Sequence, residues 1–203
     1  MTERRTQEER RSEAERKLVA AAAELVAEIG PSRVTLANVG ERAGYSRGLA
    51  THHFGSKGAL MQRLVEAVTQ QFREALVDRP GEPLDELLRL IRIYFDVMSD
   101  LQPVNRARLV LWADAVTTPS DDIRPAMVFA DREFREEIEK RLRLAVTAQQ
   151  MAAVNPHGLA TVIIAMLRGV ALQSLIDDHV DLTAARAEIE ALVTGRLQKE
   201  KHT

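Results

Sequence analysis

The chain contains no cysteine. Without thiols it has no disulfide framework, no thiolate metal site and no cysteine nucleophile. Aromatic residues make up only 4% of its 203 residues, with a single tryptophan. Alanine, leucine, arginine and glutamate abound instead, a bias that favours helix over sheet. No run of alternating apolar and polar residues lies between turn signals, so no strand is expected. The phosphate loop, GxGxxG, HExxH and GxSxG are all missing, and with them any visible catalytic apparatus. Neither an enzyme nor a cofactor is therefore expected. No apolar stretch precedes Leu18, so the N-terminal region reads as neither secretory signal nor membrane anchor, and a cytoplasmic protein is expected.

Hydrophobic residues at 45% and charged residues at 29% give a globular composition with ample core material. Net charge is −2, which on its own argues weakly against a nucleic-acid partner. Its distribution matters more. Residues 1–63 carry 11 Lys and Arg against 8 Asp and Glu, while the other 140 residues carry 17 against 22. A front of net +3 on a body of net −5 suits a polyanion touched at one end only.

Turn signals divide the chain into helices. Residues 1–12 are charged and aperiodic and read as a flexible arm. Apolar residues at helical spacing cover 13–29, and Gly30-Pro31 stops them. Thr35 is placed to cap a short helix from Leu36 to Ala43, Gly44 breaks it, and Ser46 is placed to cap the next, which ends at Phe54. Ser56 caps a long helix over 57–77, and Pro80-Gly81-Glu82-Pro83 forms a joint. Beyond it the spacing predicts helices over 84–101, 104–116, 125–150, 156–176 and 183–198, with a loop at 117–120 between the second and third. The fold class is all-α with about nine helices. A reading domain is expected over 1–58 and a helical body over 59–203.

The segment with the most chemistry is TLANVGERAGYSRGLATHHFGSKGAL, residues 35–60. Two short helices around a glycine, the second rich in small and polar residues, fit a helix-turn-helix. Leu36, Val39 and Ala43 supply the buried side of the bracing helix, and Ala50 and Phe54 that of the reader. The reader's other face offers Arg47, Leu49, Thr51, His52 and His53 to base edges. Gly48 lacks a side chain inside a helix, which costs about 1 kcal/mol, and close backbone approach to DNA would explain tolerating that cost. Lys57 lies in the first turn of a helix, where free N–H groups already favour an anion.

From about Glu13 to Val65 the chain resembles the TetR family of repressors. The likeness rests on "AEIG", on "ANVGERAG" after Thr35, on "YSRGLATHHFGSKGAL", and on the ungapped spacing of Thr35, Ala43-Gly44, Ser46, Gly48, Phe54, Lys57 and Leu60. The resemblance implies that Thr35 and Lys57 grip phosphates. It also implies a homodimer on a pseudo-palindromic double-stranded operator and a small effector among the central body helices. Three positions depart from the commoner pattern: Thr51 replaces a phosphate-contacting tyrosine, Gly58 a frequent glutamate, and Leu49 a small polar residue.

Other features have plainer readings. Adjacent His52 and His53 point about 100° apart on a helix and cannot chelate one ion, so no metal is expected. His179 beside Asp177-Asp178 reads as a polar helix end. Tyr94, Phe95, Met98, Arg108, Trp112, Phe129 and Met166 are candidate pocket walls for a small apolar or amphipathic effector, with plain core as the alternative. Residues 158–176 are apolar nearly all round but are interrupted by Arg168 and Gln173, short of a clean span of about 20 residues. Such a helix is buried from two sides, one of them a second subunit. Leu159, Ile163, Val170, Leu175, Ile189, Leu192, Val193 and Leu197 are the candidate dimer face. The rival function is a dimeric helical protein-interaction module that keeps the helix-turn-helix only as structure.

Overall fold

The computed structural model describes residues 6–75, 81–100, 102–117 and 123–195. Residues 1–5 of the expected arm, Pro80 of the joint, loop residues 118–120 and Leu197 lie outside that set. Among the described residues there are nine α-helices, one 3-10 turn and no strand. The helices are α1 (Gln7–Ile29), α2 (Leu36–Arg42), α3 (Arg47–Phe54), α4 (Lys57–Ala75), α5 (Pro83–Ser99), α6 (Pro103–Thr117), α7 (Arg124–Thr147), α8 (Pro156–Ser174) and α9 (Leu182–Gly195), with the 3-10 turn at Pro31–Arg33. They fall into two compact units. The first joins the residues up to 71 with 102–128, and the second joins 72–100 with the residues from 129 onward.

Helix α1 starts at Gln7, well before the apolar spacing begins. The Thr6 hydroxyl accepts from the Glu9 amide at 3.2 Å, and the Glu9 carboxylate accepts from the Thr6 amide at 2.7 Å. This capping box, with Glu8 and Glu9 at the positive helix end, stabilises a first turn that has no apolar face to announce it. Further on, Leu18, Ala22, Leu25 and Val26 are buried on one side of α1. They share a core with Val39 of α2, Ala50 of α3, Leu60 and Leu64 of α4, and Ala107 and Leu111 of α6.

Polar contacts then lock the three following helices onto α1. Glu15 receives Arg63 Nε of α4 at 2.5 Å and lies 3.3 Å from His53 Nε2 of α3. The Arg63 hydrogen bond, opposed by partial desolvation and helped by His53, holds the Glu15 carboxyl below its ordinary 4.5. Arg42, at the end of α2, donates to both oxygens of Glu28 at 2.8 and 2.7 Å and to Glu24 at 3.2 Å. Lys17 of α1 lies 5.9 Å from the centre of the Tyr45 ring in the α2–α3 turn.

The angle between α2 and α3 is set by backbone. A Cβ added at Gly40 would lie 2.6 Å from the Ser46 carbonyl oxygen, so α3 comes this close only because residue 40 has no side chain. Gly44 turns the chain at φ +77°, a left-handed conformation that suits glycine. Thr35 caps α2 as its sequence position predicts, its hydroxyl accepting from the Asn38 amide at 3.1 Å. Ser46 precedes α3 without a side-chain cap bond. Ser56 caps α4 through the Ala59 amide at 3.1 Å.

In the second unit α5, α8 and α9 pack on one another. Leu87, Leu90 and Ile91 of α5 are buried, as are Ile163 and Leu167 of α8 and Val193 of α9. The Tyr94 ring stacks on Phe134 of α7 at 6.2 Å and 15°. Buried charges here are paired, as burial demands. Glu139 accepts from Arg143 Nη2 at 2.8 Å and lies 2.5 Å from His157 Nδ1, while Arg141 donates to Glu137.

Two glycines make opposite predictions. Gly40→Ala should lower stability by about 1–3 kcal/mol, because backbone must move to make room. Gly48→Ala meets nothing within 4 Å and should raise stability by up to about 1 kcal/mol through helix propensity. Thermal unfolding of both variants checks the pair, and equal effects would overturn the close-contact account. Glu15 predicts an acid limb. Its lowered pKa contributes stability that is complete above its ordinary 4.5 and lost as pH falls through the folded value. Melting temperatures measured down through that range should therefore fall less steeply for Glu15→Gln than for the native chain.

Candidate nucleic-acid interface

Helix α3 is anchored by one fully buried residue, Ala50, and by Phe54 packed partly against the same core. Anchoring that side fixes what faces out. Arg47, Gly48, Thr51 and His52 are exposed, and Leu49 is half-buried at the edge. The expected reader face is thus assembled on one short helix, with one correction. His53 turns inward: its side chain is only 10% exposed, it pairs with Glu15, and its ring meets Phe54 edge-on at 4.7 Å. It braces the reader helix and does not face outward with the others, because the next residue along a helix is rotated by about 100°.

The cations around the helix pair fall into two groups. Arg42 is held between Glu28 and Glu24, and those hydrogen bonds push its pKa further up, so it is committed to α1. Arg47 pairs with Glu41 of α2, but both side chains are open to solvent, at 76% and 49% exposure. Exposed pairs of this kind are worth little, which leaves Arg47 easily exchanged onto another anion. Lys57 donates to the Ser32 carbonyl at 2.8 Å, a neutral acceptor that leaves its charge uncompensated by that bond. Thr35 lies exposed at the start of α2.

The first turns of α2, α3 and α4 contain no acidic residue, as is also true of α6 to α9, whereas α1 and α5 begin with paired acids. An acid-free first turn is therefore common in this chain, and at α2, α3 and α4 it leaves no carboxylate within the turn to oppose a phosphate oxygen. Glu15, Arg63 and Glu41 were not singled out from sequence. Partners 48 residues apart, such as Glu15 and Arg63, leave no local signal. Gly40 did have one, as the first glycine of ANVGERAG, but its spacing alone does not reveal the contact with Ser46.

The candidate pocket residues divide between the units. Tyr94, Phe95 and Met98 are buried on α5, Met166 is half-buried on α8, and Phe129 on α7 is 61% exposed, all in the second unit. Arg108 and Trp112 lie on α6 in the first, where Trp112 packs partly against its core. Phe134, passed over in the sequence, joins Tyr94. The candidate dimer face also needs correction. Leu159, Ile163, Ile189 and Val193 are buried inside the second unit, since they supply its core, and Leu197 lies outside the described residues. Val170 and Leu175 are half-buried, and Leu192 is 60% exposed. The outward side of α8 carries Val162, Ala165, Met166, Gly169 and Gln173, with Ile176 just beyond the helix. Among the described residues, α8 is long and apolar enough to cross a membrane, and a third of it is buried within the chain. His179, exposed, lies 3.0 Å from the Asp177 carboxylate in the turn that precedes α9.

The sequence profile of bacterial regulatory proteins of the tetR family matches residues 18–64, and that of the BetI-type transcriptional repressor C-terminal region matches residues 83–198. The HTH-type transcriptional regulator BetI of Escherichia coli O139:H28 is 26% identical over 153 residues, covering 73% of this chain and 77% of that protein. A Saccharomonospora viridis protein crystallised in complex with choline superposes with a TM-score of 0.79 at 19% identity, over 90% of this chain and 96% of its own. AibR, solved with isovaleryl coenzyme A and operator DNA, superposes at 0.74 and 14% identity, over 90% and 99%. The helix pair and these matches lead to one conclusion: the chain belongs to the TetR family of bacterial regulatory proteins and is a BetI-like transcriptional regulator, not an enzyme.

Proposed function

We propose that this regulator is a cytoplasmic homodimer that represses transcription by reading a pseudo-palindromic operator, and that a small amphipathic effector releases it. The observation that carries the reading is the outward set Arg47, Gly48, Thr51 and His52, anchored from behind by buried Ala50. Residues 1–58 form the reading head. Arg47 and His52 address base edges, Leu49 a thymine methyl, and Gly48 admits the DNA backbone closely. Thr35, Thr51 and Lys57 hold phosphates. Two heads one helical turn apart, about 34–36 Å, match an inverted repeat.

Pairing of two copies is supported by the outward apolar side of α8 with Leu192 of α9, which the described residues leave exposed. The effector is assigned in this reading to the second unit, among Tyr94, Phe95, Met98 and Phe134; Met166, on the outward side of α8, goes with the pairing face instead. BetI is the named relative and one structural neighbour holds choline, so choline is the first compound to try. Aromatic faces suit its quaternary ammonium. DNA and effector would each weaken the other by the same factor.

Selection of random duplexes followed by fluorescence anisotropy at two salt concentrations tests the reading. An inverted repeat should be enriched, with affinity falling steeply as salt rises. Lys57→Ala should weaken binding on every sequence and lower the salt slope by about one per contact, while Arg47→Ala or His52→Ala should cost about 1–3 kcal/mol chiefly on the selected site. His53→Ala should instead lower the melting temperature. If no motif emerges and all variants bind alike near the non-specific level, the protein-interaction module replaces this function.

A further inference from the structure

A cleft of about 380 Å³ opens within the first unit, between α1, α4 and the first turn of α6. Its size is in the lower part of the range of small-molecule pockets, about 300–1,000 Å³. Val19 and Ala23 of α1, Leu64 and Ala67 of α4 and Val104 of α6 line it, so its walls are apolar. Its rim carries charges that are not equivalent. Glu15 is occupied by Arg63 and His53, and Glu24 by Arg42. Arg16, exposed on the same rim, has no hydrogen bond or ion pair to another described residue. An apolar trough with its carboxylates engaged and one cation open is complementary to an acyl chain that ends in a negative charge.

We propose that this cleft is a second small-molecule site that takes an amphipathic carboxylate, the chain lying between Val19, Leu64 and Ala67 and the head group on Arg16. The site is separate from the aromatic residues of the second unit and from the reader face, and it does not depend on the function proposed above. Its occupant would touch α1, α4 and α6 together, and so would stabilise the first unit as a whole.

Isothermal titration of the full chain with sodium octanoate, and in parallel with octyltrimethylammonium, tests the site without any DNA. Octanoate should bind in preference to the ammonium. Arg16→Ala should weaken octanoate about tenfold or more, the worth of a charge-assisted hydrogen bond, and Arg16→Lys should retain most of the affinity. Ala67→Phe should abolish binding by filling the trough. Arg16 is on the surface, so its variants should melt as the native chain does, which keeps the test valid if Ala67→Phe folds poorly. Absence of octanoate binding, preference for the ammonium, or binding that no Arg16 variant alters would each overturn the proposal.

Discussion

The first unit depends on one carboxylate. Glu15 meets Arg63 from α4 and His53 from α3, so the helix that reads and the helix that follows it are both referred to α1. Apolar burial supplies most of the stability, but it is non-directional and would tolerate some rotation of α3 about Ala50. The ion contacts at Glu15 and the bidentate grip of Arg42 on Glu28 are directional. They fix which side of an eight-residue helix faces outward. The close approach of Ser46 to Gly40 fixes the angle at the other end.

Much of this was legible in the sequence. Thr35, Gly44 and Ser56 sit where caps and turns demand them, and apolar spacing located the helices to within a few residues. The family followed from the run of residues between Thr35 and Leu60. The start of α1 was hidden because a capping box of Thr6 and Glu9 has no apolar periodicity. His53 was misplaced because a short helix with one fully buried residue leaves its rotation poorly determined, and only the distant Glu15 settles it. The α8 and α9 residues named for pairing were chosen for hydrophobicity. Hydrophobicity alone does not distinguish the side of α8 that fills its own unit, Leu159 and Ile163, from the side that faces out, Val162 and Met166.

The cations near the reader helix show how one residue type divides its labour. Arg42 is spent on architecture: two carboxylates bind it, and moving it to a phosphate would leave Glu28 and Glu24 without it. Arg47 is spent on nothing lasting, since it is itself largely exposed and meets a single carboxylate. The distinction lies in the arginine's own exposure, 34% for Arg42 against 76% for Arg47, and in the two carboxylates that Arg42 meets. The same logic separates Arg63 of α4, committed to Glu15, from Arg16, the next residue after Glu15 on α1, at the cleft rim.

Holding the reader helix from α1 has a consequence for transplanting it. Residues 35–55 contain every outward side chain of the helix pair, and on paper they form a portable cassette. Moved alone, however, they would leave behind the acid partners of Arg42 and His53 and the floor beneath Ala50. A chimera that exchanges specificity between two such regulators must carry α1 and the start of α4 along with the pair. Otherwise the donor's reading face arrives with the recipient's orientation.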